Sequence, residues 1–144
     1  QVTLNTEIPP DLPAISVDSV RMTQILLNLL GNALQYTPAG GHVGVKCSVS
    51  SNQLPMNDER YLLNTGHYLL ITVTDTGIGL TADHLPHIFE RFYRVDQSRS
   101  RAGGGSGIGL TISKHLVEAH NGRLIATSPG LNQGSTFTII LPVA

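Results

Sequence analysis

Residues 19–36 constrain the fold of this chain more than any other stretch. Met22, Ile25, Leu26, Leu29, Leu30 and Ala33 recur three and four positions apart, while Gln24, Asn28, Asn32 and Gln35 fall along a second line. That spacing predicts one amphipathic helix with an apolar stripe and an amide stripe. The apolar stripe needs a core, and the amide stripe needs something polar. Asn28, Gly31 and Asn32 together cost roughly 2 kcal/mol of helix propensity relative to alanine, so stability alone does not account for all three. Either the amides cap neighbouring loops or simply face water, or they serve a ligand.

At 144 residues, 40% of them hydrophobic and 13% charged, the chain has the size and composition of one globular domain with a real core. A formal net charge of -1 with no long basic run disfavours nucleic acid and acidic membrane surfaces as partners. The single cysteine, Cys47, excludes an intrachain disulfide and a cysteine-rich metal site, and reads as a buried small hydrophobe on a strand. No apolar run reaches the ~20 residues that span a bilayer. Gln1-Val2-Thr3-Leu4 is neither an initiator methionine nor a signal peptide, so the chain is read as a piece of a longer protein.

Residues 2–8 predict a short edge strand, followed by an extended linker held by Pro9, Pro10 and Pro13. Asp18 or Ser19 is placed to cap the asparagine-bearing helix, and Thr37-Pro38-Ala39-Gly40-Gly41 ends it. Alternation of Val43, Val45, Cys47 and Val49, and of Leu69, Ile71, Val73 and Asp75, predicts two half-buried strands joined by an irregular loop over 50–68. A short helix is expected from Thr81 to about Ile88. A second long helix follows the glycine-rich segment 98–106, with Ile108, Thr111, Ile112, Leu116 and Ala119 on its core face and Asn121-Gly122 as its stop. Strands over 123–128 and 135–141 close a two-layer α/β sandwich with one antiparallel or mixed sheet and the helices on one face.

Asp75 continues the inward register of Ile71 and Val73, which aims a carboxylate at the core side of the sheet, where isolated burial is costly. Adenine's exocyclic amine is a suitable donor; an Asx-turn over Asp75-Thr76-Gly77 is the local alternative. Gly77 and Gly79 permit positive φ and close backbone approach to a flat ligand. Gly103, Gly104, Gly105, Gly107 and Gly109 run into a helix whose free amides favour phosphate. Neither a Walker loop nor the Gly-x-Gly-x-x-Gly dinucleotide spacing is present. Arg91, Arg94, Arg99 and Arg101 flank this loop as phosphate-pairing groups, and Phe89, Phe92 and Tyr93 concentrate the aromatics in one segment that either packs or anchors a loop. His84, His87, His115 and His120 lack zinc-helix spacing and read as surface histidines.

Taken in order, these segments resemble the ATP-binding catalytic domain of bacterial sensor histidine kinases, within the group that includes DNA gyrase, heat-shock chaperone ATPases and mismatch-repair ATPases. Asn28 to Thr37 resembles the N-box, Asp75 to Gly79 the first glycine box, Ile88 to Asp96 the phenylalanine box, Gly103 to Leu110 the second glycine box, and Gly134-Ser135-Thr136-Phe137 the closing strand motif. The resemblance covers essentially residues 1–144 as one domain and implies a Bergerat-type α/β (α+β) fold, a mixed, largely antiparallel sheet of about five strands with about three helices on one face. It implies ATP and Mg²⁺ as cofactors, with Asn28 and Asn32 holding the metal and the phosphates and Arg94 joining them in catalysis. Gln35 stands where the family usually carries lysine or histidine toward phosphate. Tyr36 is implied beside adenine and Asp75 on its amine, with Gly77, Ile78 and Gly79 in the same loop; Tyr93 and Arg94 reach nucleotide. Gly103, Gly104, Gly105, Ser106, Gly107, Ile108, Gly109 and Leu110 form the second glycine box, 98–106 is the ATP lid, and Thr136 is added from the closing motif.

The implied activity is donation of the ATP γ-phosphoryl group to a histidine on a separate dimerisation domain, for relay to a response regulator. The fragment is expected to be a monomeric cytoplasmic piece of a homodimeric, membrane-anchored kinase, without direct membrane contact of its own. Two alternatives differ in class. An ATP-hydrolysing relative would carry a glutamate base at the position of Asn28, and a non-catalytic nucleotide-sensing module has Gln35 as its one supporting feature.

Overall fold

The computed structural model describes residues 1–51, 67–93 and 109–143. Five strands and two α-helices are formed by these residues: β1 (Thr3–Glu7), α1 (Ser19–Gln35), β2 (His42–Ser51), β3 (His67–Asp75), α2 (Gly109–Ala119), β4 (Arg123–Thr127) and β5 (Ser135–Pro142). The sheet order is β1-β2-β3-β5-β4. Only the β1–β2 pair is parallel; the other three are antiparallel. The expected mixed, largely antiparallel sandwich is therefore present, with two α-helices among the described residues where about three were expected.

The apolar stripe of α1 does what its spacing requires. Met22, Ile25, Leu29 and Ala33 are buried, and Leu26 and Leu30 pack against the same core. At the N-cap, Asp18 accepts hydrogen bonds from the amides of Val20 and Arg21 at 2.9 and 3.2 Å, satisfying two donors that the helix leaves open. At the other end the buried Thr37 hydroxyl donates to the Ala33 carbonyl at 2.6 Å, and Gly40 turns the chain into β2 with a φ of 89°. Beneath the helices, Val43, Ile71, Val73, Phe137, Ile139 and Leu141 supply the inner face of the sheet.

Three expectations are corrected. The strands bordering the 50–68 loop run further than their alternation indicated, since Ser50 pairs with Tyr68 and Ser51 with His67. The short helix over 81–88 is replaced by turns and a single 3₁₀ segment, Leu85–His87. Pro86 lacks the amide that an α-helix would donate to the Ala82 carbonyl, so the chain closes three-residue bonds instead, His87 to His84 and Glu90 to His87, each 2.9 Å.

The core face of α2 is also rotated from the one expected. Ser113 and Val117 are fully buried, Leu110 and Leu116 pack beside them, Thr111 is half-buried, and Ile112 and Ala119 are exposed. Ile108 lies outside the described residues. The stop is as read: Asn121 takes a φ of 60° and the Gly122 amide returns to the Val117 carbonyl at 3.0 Å.

Candidate functional site

The two helices run antiparallel and are tied at two points. At one, the Asn28 side-chain nitrogen donates to Ser113 Oγ at 3.2 Å, with the Gly109 carbonyl at 3.5 Å. At the other, the Asp18 amide donates to His120 Nε2 at 3.1 Å while His120 Nδ1 donates to the Leu116 carbonyl at 2.7 Å. His120 is thus a link between helices and not a free surface histidine. Asn28 and Asn32 are half-buried, one turn apart on α1, and Tyr36 follows one turn later as its C-cap. The Asn32 side chain makes no hydrogen bond with the described residues. Gln35 is exposed.

Asp75 ends the central strand β3, opposite Val43 on one side and Ser135 on the other. It is 7% exposed. Its Oδ1 accepts from the amides of Gly77 at 2.8 Å and Ser135 at 3.2 Å, so the Asx-turn considered from sequence is formed. Oδ2 receives no donor from the described residues. Burial pushes the carboxyl above its usual range, and the two backbone amides pull it back down only in part.

The loop after Asp75 is held by backbone contacts. A Cβ on Gly77 would lie 2.3 Å from the Tyr36 carbonyl oxygen, and one on Gly79, whose φ is 69°, would lie 2.1 Å from that of Gly130. Ile78 donates to the Tyr36 carbonyl at 3.1 Å, Asn132 to Ile78 at 2.7 Å and Gly134 to Gly77 at 3.1 Å. Leu80 donates to Ser128 Oγ, which in turn donates to the Gly134 carbonyl. The close approach that these glycines allow is therefore made to protein backbone: to the end of α1 and to the 128–134 turn between β4 and β5. That brace was missed from sequence, where Gly134 was noted only as part of a motif.

The aromatic segment packs one residue at a time. Phe89 meets Phe137 edge-on with ring centroids 6.2 Å apart, and its carbonyl accepts from the Thr111 hydroxyl at 2.8 Å, joining this segment to α2. Tyr93 is flanked by His84 and His87 and shares a hydrogen bond with His84 Nδ1, so His84 is also partnered; His87 pairs with Glu90 at the surface. Phe92 is exposed at a φ of 65°.

Asn28, Asn32, Tyr36, Asp75, Gly77, Ile78 and Gly79 thus fall on the C-terminal half of α1 and the β3 end bonded to it, with Gly109 at the start of α2 alongside. Leu110 packs into the core behind them. Thr136 is not brought there. It stands opposite Thr74 in the register between Asp75–Ser135 and Val73–Phe137, on the other face of the sheet, because successive strand residues alternate faces. Arg94, Gly103, Gly104, Gly105, Ser106, Gly107 and Ile108, the 98–106 lid and most of the 50–68 loop lie outside the described residues. Sequence reasoning passed over Ser113, a serine in a core register of α2; that mismatch was the available signal.

Comparison with known proteins agrees with this fold. Residues 17–144 match the family described as histidine kinase-, DNA gyrase B-, and HSP90-like ATPase. Sensor histidine kinase WalK of Bacillus subtilis (strain 168) is 41% identical over 128 residues, covering 89% of this chain and 19% of WalK. Among solved structures, the mycobacterial sensor histidine kinase MprB superposes with a TM-score of 0.75 at 28% identity over 99% of this chain and 82% of that one. Full-length ShkA in complex with AMPPNP superposes with a TM-score of 0.75 at 31% identity, covering 99% of this chain and 26% of ShkA. The chain spans 6% of the first curated relative it matches and 33% of another, so it corresponds to a part of each.

Proposed function

We propose, for a chain that belongs to the histidine kinase-, DNA gyrase B- and HSP90-like ATPase family, that it is the Mg-ATP-binding catalytic domain of a sensor histidine kinase. The observation that carries this reading is Asp75: a buried carboxylate at the end of a central strand, with one oxygen saturated by backbone amides and the other without a donor from the described residues. An exocyclic amine completes that oxygen, whereas a purine with a carbonyl at the same place would set acceptor against acceptor, an arrangement that discriminates by roughly 10⁴ in comparable sites. The AMPPNP bound to similar ShkA supports an adenine nucleotide as occupant.

The residues present also fit a divalent cation. Hard cations take neutral or anionic oxygens, and the Asn28 nitrogen is directed at the carbonyl of Gly109, which leaves its amide oxygen for another partner. Asn28 and Asn32 would hold the ion, whose role is to neutralise charge on the phosphates. Arg94 and the second glycine box, Gly103 to Leu110, are the further groups assigned to the phosphate side. Tyr36 and Tyr93 border the base and the nucleotide in this reading, and Gln35, exposed, leaves the phosphates one cation short.

In the reaction, the bond between the γ-phosphorus and the β,γ-bridging oxygen breaks, a bond forms from that phosphorus to an imidazole nitrogen, and ADP leaves. Positioning and charge neutralisation are what this chemistry asks of the protein. The acceptor histidine belongs to a dimerisation domain, and a response regulator takes the phosphoryl group from it; the parent is read as a homodimeric membrane-anchored kinase. Among the described residues no helix is long and apolar enough to cross a membrane.

Titration calorimetry with ATP in the presence and absence of Mg²⁺, followed by γ-labelled ATP and a separately produced histidine-bearing helical domain, tests this reading. Metal-dependent binding and label on the partner histidine are expected. Absence of any nucleotide heat from folded protein overturns it. Asp75→Asn should weaken ATP binding by about 1–3 kcal/mol and reduce the preference for adenine over guanine; unchanged affinity removes the adenine assignment.

A further inference from the structure

Ser113 occupies a position that packing alone would give to an aliphatic side chain. It is on the core face of α2, 0% exposed, one turn before the equally buried Val117. A hydroxyl buried there is unfavourable unless it is hydrogen-bonded, and among the described residues its side-chain partner is Asn28.

The geometry at Asn28 gives that bond a purpose. Terminal amide torsions are broad and nearly two-fold, so a free asparagine presents its oxygen and its nitrogen to a ligand with similar ease. Here the Gly109 carbonyl can only accept, and the Ser113 hydroxyl lies on the same side. The carbonyl requires Nδ2 to face α2, and the Ser113 hydroxyl, which can donate or accept, accepts from that nitrogen here. The amide oxygen is then on the opposite branch, where no described residue donates to it.

We propose that Ser113 is a positioning residue: with the Gly109 carbonyl, its hydroxyl holds the Asn28 amide in the one orientation that presents oxygen, and not NH₂, to the nucleotide-bound divalent cation. The inference rests on the Mg-ATP reading and adds a residue to it. An NH₂ group turned toward a cation repels it; the Gly109 carbonyl disfavours that half of the amide's rotation, and the Ser113 bond holds the amide against the carbonyl. Outer contacts of this kind orient the groups that touch a metal and influence affinity through them.

The test uses the 144-residue chain. Ser113→Ala should weaken Mg²⁺-dependent ATP binding by about tenfold while leaving the binding measured in excess EDTA unchanged. Ser113→Cys, of similar size and a poorer acceptor, should fall between. In the absence of nucleotide, the Asn28 side-chain amide protons should exchange slowly with solvent in the wild type, and should lose that protection in Ser113→Ala. In an Asn28→Ala background, Ser113→Ala should have no further effect on the Mg²⁺ dependence.

The inference is overturned if Ser113→Ala leaves both the Mg²⁺ dependence and the Asn28 amide exchange unchanged. It is also overturned if binding weakens equally with and without Mg²⁺, which marks a packing role. A wild-type chain without metal-dependent nucleotide binding overturns the Mg-ATP reading itself and with it the purpose assigned to Ser113. The amide exchange still reports separately whether the Ser113–Asn28 bond exists.

Discussion

At the residue scale, Asp75 is held by its surroundings in a way that costs stability at neutral pH, a cost that the proposed adenine contact would explain. Its pKa is raised on folding, so the native chain binds the proton more tightly than the unfolded one. Its contribution to stability is then complete below the ordinary carboxylate range and is lost as pH rises through the raised native value. Asp75→Asn keeps an Oδ1 for the amides of Gly77 and Ser135 and removes the charge. Thermal melts should find it at least as stable as wild type at pH 7, with any advantage shrinking toward pH 4, although its nucleotide affinity falls. Gly134 behaves oppositely. It holds a φ of 77°, and a Cβ there would lie 1.9 Å from the Asp75 carbonyl oxygen, so Gly134→Ala should lose about 2 kcal/mol or more in denaturant unfolding. Asp75's inward register was legible from its alternation with Ile71 and Val73. The need for glycine at 134 was not, because it arises from a strand distant in sequence.

At the scale of elements, α1 was legible nearly to its ends because its stripe, its Asp18 cap and its Thr37-Pro38 exit all agree. The core face of α2 was misjudged because hydropathy ranks Ile112 above Ser113, while the structure buries the serine to meet Asn28 and leaves the isoleucine 38% exposed. The 81–88 segment went astray through Pro86. Two substitutions separate packing from propensity in α1. Leu29 is fully buried, and Leu29→Ala should cost about 2–5 kcal/mol in chemical denaturation. Gly31 is exposed in mid-helix, with open space where a Cβ would stand, and Gly31→Ala should add about 0.5–1 kcal/mol.

For the whole molecule, the sheet order places β3 at the centre, between β2 and β5, and it is the end of β3 that carries Asp75 while α1 and α2 cover the same face. Two layers and one sheet followed from the alternation of helical and strand periods. The parallel pairing of β1 with β2 did not, since a short edge strand carries no signal of its direction. A ligand that binds only the folded chain raises its stability by mass action, about 2.7 kcal/mol at a hundredfold excess over Kd. Calorimetric melting with saturating ATP and Mg²⁺ should show that gain as a higher Tm, and excess EDTA should remove most of it.

The turn between β4 and β5 looks like a convenient place for an epitope tag or a permuted terminus, since Leu131, Asn132 and Gln133 face solvent. Its backbone is nonetheless the clamp on the loop beyond Asp75, through Asn132 to Ile78 and Gly134 to Gly77. On the proposed adenine reading of Asp75, lengthening it would leave the helices and sheet intact and blur the choice between purines, a lesion visible to a competition assay and invisible to circular dichroism.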